Sequence, residues 1–452
     1  MKIDFKNLGG IDEGSIELND FTLFCGKNNS GKTYVMYCLY GLLNKKFNIS
    51  LDFVKSIVEK LKQDGIYHLE VTDIIAQHQE EITHHLQDRL KNYLPSLFGV
   101  GDSEFSNTTI RLHLDDVAML EKAIEKLVDN RVNLRKPSTS GPLSLWKAID
   151  SGTIQITLSD TNISDGFMQT YISDTLVEII FSELSYQNSF LLPSERAGLN
   201  LFFKELFSVR NFMLQHAQND NINPMELLKD IIDSRYPAPI QDYLQYLSKI
   251  GRTREDKCRF DEYAQVIEKN VLGGEYEVDD YGNVFFIPYQ SKKLPLHFSS
   301  STIKTLFGLV FYLKHLAKTD DYLMIDEPEL NLHPDNQRQV ARILAQLVNA
   351  GLKVIVSTHS DYFVRELNNL IMLKKGFAGT AELQKKYDYQ DNELLADKRV
   401  SAYLFDDKKI TPMALNEEGI IAETFNDVIN NLNQSSNEIY YAMQDAKELE
   451  SW

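Results

Sequence analysis

Short apolar runs recur along the chain and alternate with longer apolar stretches. The runs Phe21–Phe24, Tyr322–Ile325 and Lys353–Val356 have the length and composition of buried strands. The stretches Tyr34–Leu43 and Pro334–Leu347 are long enough for helices. Because buried strands that alternate with helices are typical of parallel sheets, this pattern predicts an α/β fold built on a mixed or parallel, doubly wound sheet with flanking helices.

The region from residue 51 to residue 185 follows a different pattern. Apolar residues recur at helical spacing over Val71–Leu94 and Asp115–Val128. Two shorter pieces, Thr108–Leu114 and Thr153–Leu158, are strand-like. We therefore predict a largely helical insertion that contains a small mixed lobe.

Two segments precede the strand Tyr322–Ile325 and have clear signatures of their own. Glu275–Tyr289 is predicted to be a hairpin, because turn-forming residues interrupt its apolar pattern at Asp279–Asn283. Ser300–Leu316 is strongly apolar after its first residues and predicts a buried helix.

Length and composition are those of an ordinary globular protein. The chain has 452 residues, more than one hydrophobic core usually serves, and 43% of them are hydrophobic. The formal net charge of −18 argues against a surface that binds nucleic acid throughout. Local basic groups usually lie on solvated surface, although they can also form a groove. These groups are Arg131 with Arg135 and Lys136, Arg252 with Arg254, and Lys292 with Lys293.

The N-terminus and the cysteines indicate the compartment. Met1–Gly10 is charged and lacks the apolar segment of a signal peptide, and the chain has no run of about 18 apolar residues. Cys25, Cys38 and Cys258 are too scattered for a disulfide framework or a zinc site, and the first two are expected in the core. We expect a cytoplasmic protein with no membrane segment.

The strand Phe21–Phe24 runs into a glycine-rich loop that matches the P-loop pattern G-x-x-x-x-G-K-S/T in full. Its glycines let the backbone approach phosphates, its amides cradle the anion, and the next helix adds its positive end. Lys32 is expected to contact the β- and γ-phosphates of ATP, and the Thr33 hydroxyl to bind Mg²⁺. The predicted ATP-binding residues of the loop are Gly26, Lys27, Asn28, Asn29, Ser30, Gly31, Lys32 and Thr33.

Two later strands end in residues that complete such a site. Tyr322–Ile325 leads into Asp326 and Glu327, and we expect Asp326 to hold Mg²⁺ and Glu327 to polarise the attacking water. Lys353–Val356 leads into His359, which at a strand end can contact the γ-phosphate and the water. Glu327 and His359 are therefore the predicted catalytic residues.

These motifs and their order resemble the ABC-type ATPases of the SMC, RecF and OLD groups. The matching segments are the P-loop, Asp326–Pro334 with its Leu-His-Pro ending, and Ser357–Ser360. The resemblance implies that two ATPases face each other and that a serine-rich signature at a helix start closes on the γ-phosphate bound by the partner. The corresponding residues are Ser299, Ser300 and Ser301, although the segment departs from the common Leu-Ser-Gly-Gly-Gln form. A plain helix cap is the alternative interpretation of these serines.

A further segment, Leu191–Leu199, is similar to the Pro-x-x-Arg segment found in the Q-loop region of OLD-like ATPases. No glutamine stands at the end of the preceding strand, so Glu195 or Arg196 is a candidate to lie near the nucleotide. A surface turn is the competing interpretation.

The class of ABC-type ATPase follows from what accompanies the motifs. Transporter ATPases are disfavoured by the long insertion, and long-arm SMC proteins by the lack of a sustained heptad pattern. OLD nucleases carry a TOPRIM domain, and the segment after His359 has no convincing array of spaced acidic residues. We therefore expect no nuclease centre in this chain.

The C-terminal part also resembles a more specific group, the ATPase subunits of bacterial anti-phage systems. The segments are Asp361–Ile371, Asn416–Ile420, Thr424–Asn433 and Glu438–Tyr441. Septu ATPases of the PtuA type, which partner an HNH nuclease (PtuB), are the first choice, and the PARIS ATPase with its TOPRIM effector is the second. A RecF-like DNA-repair ATPase and an ATP-binding scaffold stay open as alternatives.

The resemblance implies partners and a division of the chain. A head-to-tail ATPase dimer or a higher homo-oligomer is expected, together with a separate nuclease through which DNA is reached. The expected division is an ATPase core at 1–50 and 186–375, the insertion lobe at 51–185, and a C-terminal partner-docking segment at 376–452.

Overall fold

The computed structural model of the protein describes most of the chain. The predicted helix Asp115–Val128 and the basic residues Arg131, Arg135, Lys136 and Arg254 lie outside the described residues. The described residues are 2–44, 50–113, 143–147, 153–159, 162–180, 189–206, 236–252, 258–421 and 423–450.

Strands occur at the predicted short apolar runs, and further strands lie in the insertion and in the C-terminal part. The strands are β1 (Lys2–Leu8), β2 (Ile11–Glu17), β3 (Phe21–Gly26), β4 (Ile66–Glu70), β5 (Thr109–Leu112), β6 (Leu143–Lys147), β7 (Thr153–Leu158), β8 (Ser189–Leu192), β9 (Gly274–Val278), β10 (Val284–Pro288), β11 (Leu294–Pro295), β12 (Tyr322–Asp326), β13 (Lys353–Thr358), β14 (Val400–Asp406), β15 (Lys409–Pro412), β16 (Leu415–Asn416) and β17 (Gly419–Ile420).

The helices follow the apolar stretches, and residues 196–206 are helical as well. The labelled helices are α1 (Lys32–Asn44), α2 (Val54–Asp64), α3 (Val71–Gln77), α4 (Gln79–Phe98), α5 (Asp165–Ile180), α6 (Ala238–Lys249), α7 (Asp261–Val266), α8 (Ser301–His315), α9 (Pro334–Asn349), α10 (Asp361–Lys375), α11 (Thr380–Tyr387) and α12 (Glu423–Glu450).

A mixed sheet forms the centre of the molecule, with the strand order β5-β1-β2-β15-β14-β3-β13-β12-β8. From β14 to β8 all neighbouring strands are parallel. Successive residues of these strands face opposite sides, so Leu323 packs in one core and Met324 in the other. Helices cover both faces, and the predicted α/β fold of an ABC-type P-loop ATPase is confirmed.

The insertion contains more strand than predicted. Helices α2 and α3 pack beside a separate antiparallel sheet of order β4-β7-β6, whereas α4 packs against β5. However, β5 belongs to the main sheet, because it pairs antiparallel with β1 and brings Ile110 opposite Phe5. The predicted insertion lobe at 51–185 therefore contributes a strand to the core, which the sequence pattern could not reveal because it does not specify strand partners.

The C-terminal segment also enters the core. Strand β14 pairs in parallel with β3, and β15 pairs in parallel with β2. These two strands, formed by residues 400–412, lie between β2 and β3 in the main sheet. The expected end of the ATPase core at residue 375 is therefore wrong for the sheet. Beyond these strands, α12 extends away from the core, and every side chain from residue 430 to residue 444 is exposed.

Other expectations from composition are met in the described residues. Cys25 and Cys38 are buried. Lys293 forms an ion pair with Glu277 at 2.5 Å and covers the Phe285 ring, as expected for a solvated face. None of the helices in the described residues is long and apolar enough to cross a membrane.

Candidate functional site

The P-loop joins the end of β3 to the start of α1 through backbone conformations that glycine favours. Gly26 has φ 148° and Gly31 has φ 96°, and Asn29, with φ 61°, occupies the left-handed region that asparagine tolerates. A Cβ atom on Gly26 would lie 2.4 Å from the carbonyl oxygen of Phe405 on β14. Glycine is thus required at Gly26 both for its conformation and for the close approach of β14.

Lys32 is held at the centre of the loop. Its ammonium donates to the carbonyl oxygens of Gly26 at 2.9 Å and Lys27 at 2.7 Å, and Ser30 Oγ lies at 3.4 Å. Burial lowers the pKa of Lys32, and the carboxylates of Asp326 and Glu327 oppose that shift. The side chain is therefore folded over the loop, with its charge where a phosphate would be bound.

Asp326 connects the end of β12 to the P-loop. The Thr33 hydroxyl donates to Asp326 Oδ2 at 3.0 Å, and the Ser357 hydroxyl donates to Oδ1. Asp326 is buried at the end of its strand. A hydroxyl beside a carboxylate oxygen is the oxygen donor set that Mg²⁺ prefers, so these residues fit the predicted cation.

Glu327 lies just beyond the strand and turns toward the P-loop. Its φ of 53° is unusual for a glutamate, and its amide donates to the Ser357 carbonyl at 3.1 Å. Its side chain lines the same cavity as the P-loop. Burial and the neighbouring Asp326 raise the pKa of Glu327, whereas His359 and Lys32 lower it. These features place an ionisable carboxyl beside the phosphate-binding loop.

His359 follows β13 and lies between two carboxylates. Its Nδ1 is 3.6 Å from Glu327 Oε1 and 3.4 Å from Glu329 Oε1. Its amide donates to Glu329 Oε1 at 2.8 Å, and the Thr358 hydroxyl donates to the same oxygen at 2.8 Å. The structure therefore brings Glu327 and His359 together at the ends of the neighbouring strands β12 and β13.

Two adjacent cavities open at this edge of the sheet. The first, of about 580 Å³, is lined by the P-loop together with Gly10, Tyr34 and Glu327. The second, of about 540 Å³, shares Thr33 and Tyr34 with the first. Its other lining residues are Asn7, Gly9, Tyr37, Phe98, Val100, Glu104, Phe105, Glu195, Pro237 and Ile240.

The predicted signature serines lie at the start of α8. Ser299 Oγ donates to the Pro295 carbonyl at 3.3 Å, and Ser300 Oγ accepts from the Ile303 amide at 3.4 Å. Ser301 is the first residue of the helix. In the described part of this chain, none of the three serines lines the P-loop cavity. Ser300 therefore acts as a helix cap here, while a contact with the P-loop of a second chain stays a prediction.

The Pro-x-x-Arg segment forms a turn whose arginine is buried. Arg196 is only 2% exposed, and its guanidinium reaches the backbone of Asp326 and Glu327. Glu195 is exposed and lines the second cavity. The segment therefore lies at the predicted site, but Arg196 contacts the protein backbone there.

Two residues of the site were not assigned a role from sequence. Ser357 holds Asp326, and Glu329 holds the Thr358 hydroxyl and the His359 amide. Both stand inside motifs that the sequence showed, each two positions from a predicted catalytic residue. Their positions inside these motifs were the sequence feature that could have identified them as part of the site.

A P-loop that faces an Asp-Glu pair across parallel strands defines a P-loop nucleoside triphosphatase with ABC-type sheet order. The family model of the AAA ATPase domain matches residues 1–236 and 208–364, so the chain belongs to that family. No described feature of the sheet or the loop conflicts with this assignment.

Individual relatives share only part of the chain. The energy-coupling factor transporter ATP-binding protein EcfA2 of *Staphylococcus aureus*, from strain bovine RF122 / ET3-1 and from strain MRSA252, is 29% identical over 119 residues. That alignment covers 24% of this chain and 41% of the relative, so the chain spans less than half of the curated relatives it matches.

Solved structures of SMC heads show low similarity. An SMC head bound to the C-winged helix domain of ScpA is 12% identical, with 92% of this chain and 98% of that chain covered and a TM-score of 0.33. The SMC head domain from *Thermotoga maritima* is 9% identical, with 91% and 98% covered and a TM-score of 0.32. TM-scores this low add nothing to the fold assignment.

Proposed function

We propose that this chain is the ATP-hydrolysing subunit of an anti-phage defence complex and that it regulates a separate nuclease. The observation that carries the ATPase part is the contact between Thr33 and Asp326, with Glu327 lining the same cavity as the P-loop. An anion cradle, a cation donor pair and a carboxyl beside them are what hydrolysis of a nucleoside triphosphate requires.

Each residue then has a distinct task. The loop amides and Lys32 bind the β- and γ-phosphates, and Thr33 and Asp326 hold Mg²⁺. Bound Mg²⁺ supplies positive charge to the phosphate oxygens as negative charge develops on them. Glu327 orients and polarises the attacking water, and His359 lies beside it to contact the γ-phosphate.

The second cavity is the place for the nucleoside. Thr33 and Tyr34 line both cavities, so a ligand bound at the P-loop can extend directly from one into the other. Tyr34 stacks on Phe98 with ring centroids 5.3 Å apart and remains 41% exposed. These rings offer an apolar wall to a nucleobase.

The site is expected to need a second copy of the chain. The predicted signature residues Ser299, Ser300 and Ser301 begin α8, and a helix start is a phosphate-binding element. Because they do not line the cavity formed by the described residues of their own chain, we infer a head-to-tail dimer or a higher homo-oligomer.

The regulatory role rests on the resemblance of the C-terminal segments to Septu ATPases and on the exposure of α12. An HNH nuclease is the favoured partner, and DNA is reached through the complex. In the described residues, the group of side chains that could jointly hold another metal is Asp52, Glu81 and His85, which lies at the surface of the insertion. This group does not have the spaced acidic motifs of a TOPRIM centre.

A pull-down of the tagged chain, expressed from its native locus, tests the partner. Co-purification of an HNH protein supports the proposal. A TOPRIM protein in its place would assign the chain to a PARIS-like system, and DNA without a nuclease would assign it to RecF-like repair.

Two substitutions test whether ATP matters to defence. Lys32→Ala should abolish nucleotide binding, and Glu327→Gln should bind ATP without hydrolysing it and accumulate as dimers. Lys55→Ala, at an exposed ion pair with Asp52, is the control and should behave as the unmodified protein. If cells carrying each of the two site variants resisted phage normally, ATP would have no regulatory role.

A further inference from the structure

Arg196 is a buried arginine whose hydrogen bonds are to backbone carbonyls. Its Nη1 donates to the Pro193 carbonyl at 3.0 Å and to the Asp326 carbonyl at 2.7 Å. Its Nη2 donates to the Glu327 carbonyl at 2.6 Å. The guanidinium therefore bridges the end of β8 to Asp326, the last residue of β12, and to Glu327, which follows it.

The hydrogen bonds of Arg196 lie where the pairing between β8 and β12 ends. Strand β8 pairs with β12 as far as Leu192 opposite Ile325. The next residue, Pro193, has no amide hydrogen and cannot donate to β12. Buried carbonyls require donors, and the guanidinium supplies one to the Asp326 carbonyl on this side. The Glu327 carbonyl also accepts from the Leu330 amide at 3.1 Å, so the guanidinium is its second donor.

The other side of β12 is held differently. There the Glu327 amide donates to the Ser357 carbonyl of β13, while Glu327 itself adopts a φ of 53°. A left-handed conformation is unfavourable at a residue other than glycine, and it persists when surrounding contacts impose it. Arg196 and Ser357 thus form hydrogen bonds with the same turn from its two sides.

We propose that Arg196 is a positioning residue for ATP hydrolysis, which fixes the two carbonyls so that the Asp326 and Glu327 carboxylates point at the P-loop. This inference rests on the proposed ATPase function. The planar fork of arginine suits two adjacent carbonyls, whereas the ammonium of lysine cannot match that geometry.

The test compares Arg196→Lys with a matched buried arginine. Arg342 is 6% exposed, donates to Glu366 Oε1 at 2.5 Å and to the Asp388 carbonyl at 3.0 Å, and belongs to a helix packed against α10. Arg342→Lys should lower thermal stability but leave kcat and KM of the folded protein unchanged. Arg196→Lys should lower kcat about 10- to 100-fold and change KM for ATP less than about twofold, because misplacement of a catalytic group acts on the reaction rather than on binding.

A double-mutant cycle separates positioning from general damage. If Arg196 acts through Glu327, the effect of Arg196→Lys on kcat should be much smaller in the Glu327→Asp background, which keeps a displaced carboxyl and measurable hydrolysis. An equal effect in both backgrounds, or an unchanged kcat in the single variant, would overturn the inference. Circular dichroism and binding of a fluorescent ATP analogue establish that each variant is folded.

A second variant covers loss of folding. Arg196→Gln keeps an amide donor, and it replaces the lysine variant if that protein does not fold. If neither variant folds, Arg196 is a structural residue and the positioning role is wrong. Absence of ATPase activity in the unmodified protein would instead refute the proposed function itself.

Discussion

At the scale of single residues, the site depends on short polar contacts between neighbouring strand ends. Thr33 and Ser357 each donate a hydrogen bond to one oxygen of Asp326, and Glu329 fixes the backbone of His359. Each of these side chains is held by a partner from another strand or loop. Pre-organisation of this kind reduces the rearrangement needed when a substrate binds.

The first prediction concerns the proposed cation donor Thr33. Thr33→Ala should weaken Mg²⁺-dependent ATP binding about tenfold, because it removes a hydroxyl ligand, whereas Thr33→Ser should retain binding. Titration of Mg²⁺ against a fluorescent ATP analogue measures the effect. Equal Mg²⁺ dependence in the two variants would show that the hydroxyl is not a ligand.

At the scale of secondary structure, the main sheet depends on the pairing of β2 with β15, two strands that lie far apart in the sequence. Gly14 on β2 pairs with Ile410 on β15. A Cβ atom on Gly14 would lie 2.3 Å from Ile410 Cβ. The absence of a side chain at this position therefore allows β15 to join the sheet.

The second prediction tests that contact. Gly14→Ala should destabilise the protein by about 1–3 kcal/mol, the usual cost of overpacking a core. Urea unfolding measures the change, and Ile410→Ala in the same protein should recover part of it. Gly166→Ala is the control, because a Cβ there meets nothing within 4 Å. A Gly14 variant as stable as this control would contradict the packing argument.

Elements were predictable from sequence to the extent that local pattern determines them. The P-loop, the hairpin and the helix at α8 follow from turn residues and apolar spacing within each segment. The partners of β5 and β14 were not predictable, because both strands pair with residues far away in sequence and nothing local records the register. Arg196 was a candidate for the site, but its contacts with Asp326 and Glu327 were not predictable for the same reason, since these acceptors lie 130 and 131 residues away.

At the scale of the whole molecule, α12 is the part that the core does not use. Leu432 is 63% exposed, Ile439 69% and Met443 49%. Their spacing of seven and four residues places them on one face of the helix. An exposed apolar face of this kind is suited to packing against another protein.

The third prediction is that this face binds the nuclease partner. Ile439→Glu should abolish co-purification of the nuclease and leave ATPase activity and thermal stability unchanged. Asn437→Glu introduces the same charge on the opposite face and should retain the partner. Retention of the nuclease by the Ile439 variant would place docking elsewhere, and the insertion lobe would be the next surface to test.

The position of β14 has a consequence for the order in which the protein is made. Strand β3, which leads into the P-loop, lies between β13 and β14, and the Phe405 carbonyl lies close to Gly26. During synthesis the P-loop strand emerges long before its neighbours β13 and β14, which follow much later in the sequence. Pairing between such distant segments is slow to form. The nucleotide site is therefore completed late. A chain whose synthesis stops before residue 400 contains the complete P-loop sequence but lacks β14, the strand beside which the loop folds.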